Sequence, residues 1–484
     1  MRTSNVQRKV YCGISFSVIA GIVILLCAVW TPISAYAQGG PVSPNGLANS
    51  AYWPTYLYSK DHSGYNSKET TITASTAPNL KLHWSYTAGG SISDQPVEAN
   101  GNVYWGSWDG NEHATSVNGS AVWSTNLGQT SDSSCIPPTV GVASTAAIAN
   151  VTFHKVSTPV VFVGGGNAQF YALNASTGAI IWHTSLGSSP SHFIWDSPVV
   201  YQGNVYIGIS SFGDCPLVQG QVFELNAKTG SVVHTFNIVP TGCTGGGMWG
   251  SPTIDASAGT LYFVTGNNGS CSSSEPYTVA IVELHTADLS PVGSWSVPSN
   301  QQGPDSDFGS TPTLFQATIN GSTVKLVGVA NKNGVFYTFK RDALISGPVW
   351  QAQVANGGDC PQCGSGSISP AAWDGTHLYV AGGATTINGA SYKGSLRELN
   401  PANGQFIWQV GFSGGSVLGA VTAVPGVAFV TEGTSLVAVS TSSGQILKTL
   451  SDTGNGSLYY GAASVSKGIV YVGNMDKKLY AYGL

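Results

Sequence analysis

The feature that most constrains this chain is a strand repeat that can be read eight times between residues 102 and 484. "NVYWGSWDGNEHATSVNGSAVW", ending at Trp123, and "VVFVGGGNAQFYALNASTGAIIW", ending at Trp182, follow one order. A strand of Val, Tyr or Phe leads through a turn to a second strand, then a Gly-containing turn, then a third strand with Trp four residues after the glycine. Trp295, Trp350 and Trp408 mark later units, while the eighth, "IVYVGNMDKKLYAYGL", lacks its Trp strand and a spare one, "LKLHWSYT" with Trp84, precedes the first unit. Such units, roughly 40 to 60 residues long, cannot bury both sheet faces alone and must stack on their neighbours, which is the propeller pattern. The spare strand would complete the last blade, close the ring and remove an exposed edge. The expectation is an all-β, eight-bladed propeller of four-stranded antiparallel blades over residues 76–484, with the repeated Trp packed between blades.

Residues 1–37 run from Arg2, Arg8 and Lys9 into about twenty mostly apolar residues and end in Ala35-Tyr36-Ala37. This reads as an export signal, and the apolar run also has the length of an uncleaved membrane anchor. Either reading puts the remainder outside the cytoplasm, whether extracellular, on the cell surface or in a periplasm. Residues 38–75 read as a flexible leader followed by an aromatic strap, "YWPTYLYSKDHSGYN". Of 18 cationic residues three lie in the first 37, leaving 15 against 23 anionic ones and no basic run. Nucleic acid is therefore excluded as a partner, since it demands clustered cations. Six cysteines follow residue 37, an even number suited to disulfides in an oxidising compartment. Their pairing is open among fifteen arrangements. In "CPQC" (Cys360, Cys363) Gly364 stands where a c-type haem site needs His.

Polar departures from the repeat mark the candidate chemistry: Asp214 in "ISSFGDCP", Asn267 in "LYFVTGNNG", Asp305 and Asp307 in "QQGPDSDFGSTPTL", and Lys332 in "VANKNGVFYTF". Carboxylate and amide oxygens from neighbouring blades are hard ligands suited to Ca²⁺, a second carboxylate can act as a base, and a lysine can balance a developing oxyanion. Each residue alone also fits a turn or cap. Trp249, in "GGGMWGSPTID", falls outside the repeated Trp slot, and its three preceding glycines would let the chain approach a bulky planar group.

These segments resemble the quinoprotein alcohol dehydrogenases, eight-bladed propellers carrying pyrroloquinoline quinone (PQQ), and especially their polyvinyl-alcohol-dehydrogenase-like branch. The likeness covers most of residues 53–484. It implies PQQ and Ca²⁺ as cofactors, Trp249 as the floor under PQQ, and Asp214, Asn267 and Asp307 as metal ligands. It further implies Asp307 as the catalytic base and Lys332 as a catalytic residue that also contacts the quinone oxygens. The substrate implied is a small or polymeric alcohol, with electrons passed to a separate acceptor such as a cytochrome or quinone. Two family features are missing from the sequence: an adjacent Cys-Cys pair above PQQ, and any CxxCH haem motif. The repeat equally resembles the non-enzymatic outer-membrane assembly propellers, so a binding or assembly scaffold is the alternative. Retention of Trp249, Asn267, Asp307 and Lys332 around one channel would favour the enzyme; bulky side chains filling the channel would favour the scaffold.

Overall fold

The outer strand is the most exposed of blade 1, and the strands inside it are buried. In blade 1 the outer strand Ala121–Asn126 alternates exposed and half-buried residues, whereas the inner strands Val97–Ala99 and Asn102–Gly106 are almost wholly buried. That gradient is why the middle strands read as continuous apolar runs and the outer one alternates. The computed structural model describes residues 51–271, 275–303, 305–452 and 456–484, so the expected export signal lies outside the described residues. Among these, no helix is long and apolar enough to cross a membrane.

Eight antiparallel four-stranded sheets form the ring, and blade 3 carries one additional short strand, His192–Phe193. The strand Lys81–Thr87 pairs antiparallel with Lys478–Gly483 and completes the eighth blade, as the spare and missing strands of the sequence imply. Each unit read from the sequence begins on the second strand of its blade. The innermost strands escaped that reading because most are only two or three residues, such as Val199–Tyr201, Thr253–Asp255 and Ala372–Trp373, too short for any alternation to register.

The rim tryptophans join blade to blade. Trp84, Trp123, Trp182, Trp350 and Trp408 donate their indole N–H to the backbone oxygens of Val117, Ala175, Ala227, Pro401 and Thr441 in the next blade, at 2.9 to 3.2 Å. Each ring lies on a turn glycine of that blade; at Gly230 (φ +74°) a Cβ would come within 2.4 Å of Trp182. Trp295 differs, packing on Tyr337 and Phe339 at 5.0 and 5.1 Å.

Nearer the axis a belt of side-chain hydroxyls sets the spacing of the first five blades. The backbone N–H of Gln95 donates to Thr145 Oγ1, that of Thr145 to Ser197 Oγ, that of Ser197 to Ser251 Oγ and that of Ser251 to Thr311 Oγ1, at 2.8 to 3.1 Å. Residues 51–66 cross one end of the axis: Pro54, Lys60, Ser63 and Gly64 offer backbone oxygens to Ile148, Ile254, Trp373 and Ala423 on the inner strands of blades 2, 4, 6 and 7. His62 is fully buried there, with Nδ1 2.9 Å from Thr253 Oγ1, and burial lowers its pKa to about 3.

Three disulfides join Cys135 to Cys215, Cys243 to Cys271 and Cys360 to Cys363. All six cysteines after residue 37 are therefore used.

Candidate functional site

One position recurs four residues ahead of every innermost strand's first paired residue: Ser93, Ala143, Trp195, Trp249, Gly309, Ile368, Leu418 and Tyr460. All but Trp249 line an axial cavity of about 110 Å³, to which Tyr56 of the crossing segment also contributes. Trp249 extends from blade 4 over the equivalent position of blade 5. A Cβ on Gly309 would sit 1.9 Å from its ring, so only glycine fits beneath it.

The glycines before Trp249 serve a different end from the expected approach to a planar group. Gly245 (φ +104°) forms backbone bridges with Gln219 and Asn268, and a Cβ there would be 2.4 Å from Gly269 N. At Gly247 a Cβ would be 2.9 Å from Ser210 Cβ. They let the loops leaving blades 3 and 4 lie backbone against backbone, which fixes the point from which Trp249 projects.

Four of the residues singled out in the sequence form one bonded cluster with Asp305. The Trp249 indole N–H donates to Asp307 Oδ2 at 2.9 Å. Lys332 Nζ lies 2.5 Å from Asp307 Oδ1, 2.8 Å from Asp305 Oδ2 and 5.2 Å from the centre of the Trp249 ring. Asn267 Nδ2 donates to Asp305 Oδ1 at 2.8 Å. Asn267 and Lys332 follow the second strands of blades 4 and 5, and both aspartates lie on the loop entering blade 5. That loop is held by Phe308 N–H on Thr265 O and by Asn331 Nδ2 on Ser306 O. Asp305, marked in the sequence as a polar departure but given no ligand or base role, joins Asn267 to Lys332.

Asp214 stands apart. It is exposed on the loop after the second strand of blade 3 and makes no hydrogen bond to the cluster among the described residues. It nevertheless feels the site: partial burial and the Asp305 charge raise its pKa, and Lys332 opposes them. The neighbouring Cys215 ties this loop to Cys135, over an apolar group that includes Phe193, Phe212, Trp108 and Trp195.

Burial pushes Asp307 up to about 7, against the pull of Lys332 and with help from Asp305. For Asp305 the cost of partial burial is outweighed by hydrogen bonds from Asp307, Lys332 and Asn267, and its pKa falls below the usual range. Burial would lower Lys332, but Asp307 and Asp305 hold it protonated and raise it.

The residue types are those a hard divalent cation takes: the Asp305 and Asp307 carboxylates close on the Lys332 ammonium, the Asn267 amide is bonded to Asp305, and the exposed Asp214 carboxylate lies near enough for the Asp305 charge to raise its pKa. The Trp249 ring, backed by Gly309, supplies a flat apolar face for a planar group. In residue type the cluster is compatible with Ca²⁺ and the ring with a planar quinone, with Lys332 lying between the two aspartates and 5.2 Å from the ring centre. A second grouping of ligand-type residues, Cys243, Cys271 and Glu275, is no metal site, because its cysteines are joined in a disulfide.

The family model described as outer membrane protein assembly factor BamB matches residues 113–274 and 306–484. A polyvinylalcohol dehydrogenase from Pseudomonas sp is 24% identical over 465 residues, covering 83% of this chain and 68% of the relative. A quinohemoprotein alcohol dehydrogenase from Comamonas testosteroni is 26% identical over 377 residues, covering 66% of this chain and 51% of the relative. The chain thus spans between about half and two thirds of the length of these relatives. Among solved structures, a europium-containing methanol dehydrogenase superposes with a TM-score of 0.71 at 16% identity, covering 91% of this chain and all of that one, a likeness of fold.

Proposed function

The chain belongs to the PQQ-like propeller family that includes the outer membrane assembly factor BamB, within the quinoprotein-dehydrogenase-like superfamily, and from that premise we propose that it is an exported oxidoreductase. It would use PQQ and Ca²⁺ to oxidise an alcohol, secondary or polymeric, to a carbonyl. The observation that carries this reading is Asp307, buried and held at once by the Trp249 indole and the Lys332 ammonium. A scaffold has no evident use for a buried carboxylate, an ammonium and an aromatic ring drawn together.

When bound, PQQ supplies a two-electron acceptor for the alcohol's hydride, and Ca²⁺ supplies Lewis acidity. Asp214, Asn267 and Asp307 would hold the cation, with Asp305 as a fourth oxygen donor beside them. Trp249 would orient the planar cofactor. Asp307 would accept the hydroxyl proton at a carboxylate oxygen, which its elevated pKa equips it to retain. Lys332 would balance negative charge on cofactor oxygens while keeping both aspartates in place. The two electrons would leave to a separate acceptor, a cytochrome or a quinone. The three disulfides favour an oxidising compartment, in line with residues 1–37 acting as an export signal.

Purified protein reconstituted with PQQ and Ca²⁺ should acquire the cofactor's absorbance and oxidise alcohols in a dye-linked assay. Unchanged spectra together with no turnover would overturn the reading. The second reading, an exported assembly scaffold, draws on the family model's description and on the small axial cavity of about 110 Å³; it requires that result.

A further inference from the structure

We infer that the propeller carries a second binding site, away from the Asp307 cluster: a groove between blades 2 and 3 that takes a free long-chain carboxylate, with an anionic head and an apolar tail. The inference stands apart from the oxidoreductase reading, since none of the residues assigned to PQQ, Ca²⁺ or the alcohol lines this groove.

The groove has a volume of about 800 Å³, within the range of small-molecule sites. Its place in the fold separates it from the cluster. Asn267 and Lys332 follow the second strands of their blades, whereas Tyr201, Gln202 and Gly203 of the groove lie where the first strand of blade 3 turns into the second, at the other end of the sheet. One wall is the crossing segment, through Pro54, Thr55 and Tyr58.

A departure from the repeat builds the opposite wall. Most innermost strands have two or three residues, but that of blade 2 has seven, Ala147–Phe153, paired along its length with Val156–Gly164. Side chains alternate along it, and Ala149, Val151 and Phe153 face the core shared with blade 3 while staying only half-buried, as does Val200 opposite. The extended hairpin thus lays an apolar face over blade 3 without closing on it, and Ala149, Val151 and Val200 line the opening.

Charge decides the occupant. The lining holds two charged side chains, Lys60 and Lys228, both cationic and exposed, and neither forms an ion pair among the described residues. Asp61, beside Lys60, accepts a hydrogen bond from Ser59 Oγ and lines a neighbouring cavity instead. Thr55 Oγ1 is buried in the wall with no hydrogen-bond partner among the described residues, which leaves a polar group for a ligand to meet. A neutral apolar molecule would leave the ammonium groups unmatched, and a sugar or nucleotide would press its hydroxyls against Ala149, Val151 and Val200 without hydrogen bonds. An alkyl carboxylate satisfies both surfaces, its chain on the apolar wall and its head toward the lysines.

The probe is decanoate below its micellar concentration, titrated calorimetrically into the protein without cofactor. It should bind saturably and raise the melting temperature. Decyltrimethylammonium, with the same chain and the opposite charge, should bind about tenfold more weakly or less. Lys60→Glu and Lys228→Glu should each lower decanoate affinity about tenfold and narrow the gap between the two ligands. Ala256→Trp, at an exposed position of the lining, should weaken both ligands alike. Absence of saturable decanoate binding, equal affinity for the two ligands, or affinity untouched by all three variants would overturn the site. Binding to vesicles of anionic lipid in preference to monomeric decanoate would overturn the free carboxylate as occupant. Should Ala256→Trp fail to fold, the two charge reversals decide by the same titration, and turnover with PQQ enters none of these readouts.

Discussion

Tryptophan serves this propeller in two regions, and the partner of its N–H differs between them. At the rim, Trp84, Trp123, Trp182, Trp350 and Trp408 donate to backbone carbonyls of the next blade and lie on glycine turns. Beside the axial cavity, against Gly309, Trp249 donates to the carboxylate of Asp307, next to an ammonium. A carbonyl partner neither titrates nor moves, so the rim bonds act as fixed fasteners. A carboxylate partner changes charge and can trade its bonds for a ligand, which is what a site requires. The same side chain thus secures the ring in one place and reports on chemistry in the other.

The sharpest way to break this contrast is through Asp307. Asp307→Asn should lower dye-linked alcohol oxidation by about 10²- to 10⁴-fold, the range for loss of a general base, with retention of bound PQQ checked by absorbance. Undiminished turnover would remove Asp307 from the base role. At the rim, Trp182→Ala should cost about 3 kcal/mol of unfolding free energy in urea without displacing the pH–rate profile; a displaced profile would mean that the two regions are not independent. Between these extremes lies Trp249→Phe, which keeps a flat ring but removes the N–H that stabilises ionised Asp307. The acid limb of kcat/KM against pH, assigned to Asp307, whose pKa burial raises, should move upward by about one unit.

Carboxylates that serve the ring rather than the site make a separate comparison. Asp94 and Asp196 occupy matching places in blades 1 and 3, where each accepts a backbone N–H, from Gly106 and Gly208, at 2.8 Å. Burial raises both to about 8, above the unfolded value of about 3.9. The folded state then binds more protons than the unfolded one, so stability is greatest below about pH 4 and declines as pH rises toward 8. The melting temperature should fall across that window, and Asp196→Asn should flatten the fall while keeping the Gly208 bond. A slope untouched by that change would place the proton uptake elsewhere, with Glu112, also raised by burial, the next group to replace.

The ring was legible because its instructions are local and repeated. A strand, a turn glycine and a Trp four residues later mark the outer edges at Trp123, Trp182 and Trp408, and the spare Trp84 strand marked the seam. Inner strands of two or three residues were not legible, since their pairing is imposed by neighbouring blades rather than by their own pattern. At the site, the residue types of Trp249, Asn267, Asp307 and Lys332 stood out one at a time, but their convergence depends on loops from two blades meeting at the axis. Asp305 gains its importance wholly from that meeting. The glycines before Trp249 misled for a related reason: sequence reveals that space is needed without revealing what fills it, and here it is the backbone of Gly269 and the side chain of Ser210.

The seam of the eighth blade has a consequence for how the molecule can be assembled and cut. Its outer strand comes from residues 81–87 and its third from residues 478–483. Their pairing is among the longest-range contacts of the chain, and the circle cannot close until both have been made. Because Gly483 faces Lys81 across that pairing, the two ends of the ring already meet. A permuted chain opened in an exposed turn such as Asn388-Gly389 would keep the eight sheets if its linker led into the crossing segment 51–66, which bonds blades 2, 4, 6 and 7. Where the polypeptide begins is, for this architecture, a choice of seam rather than a property of the ring.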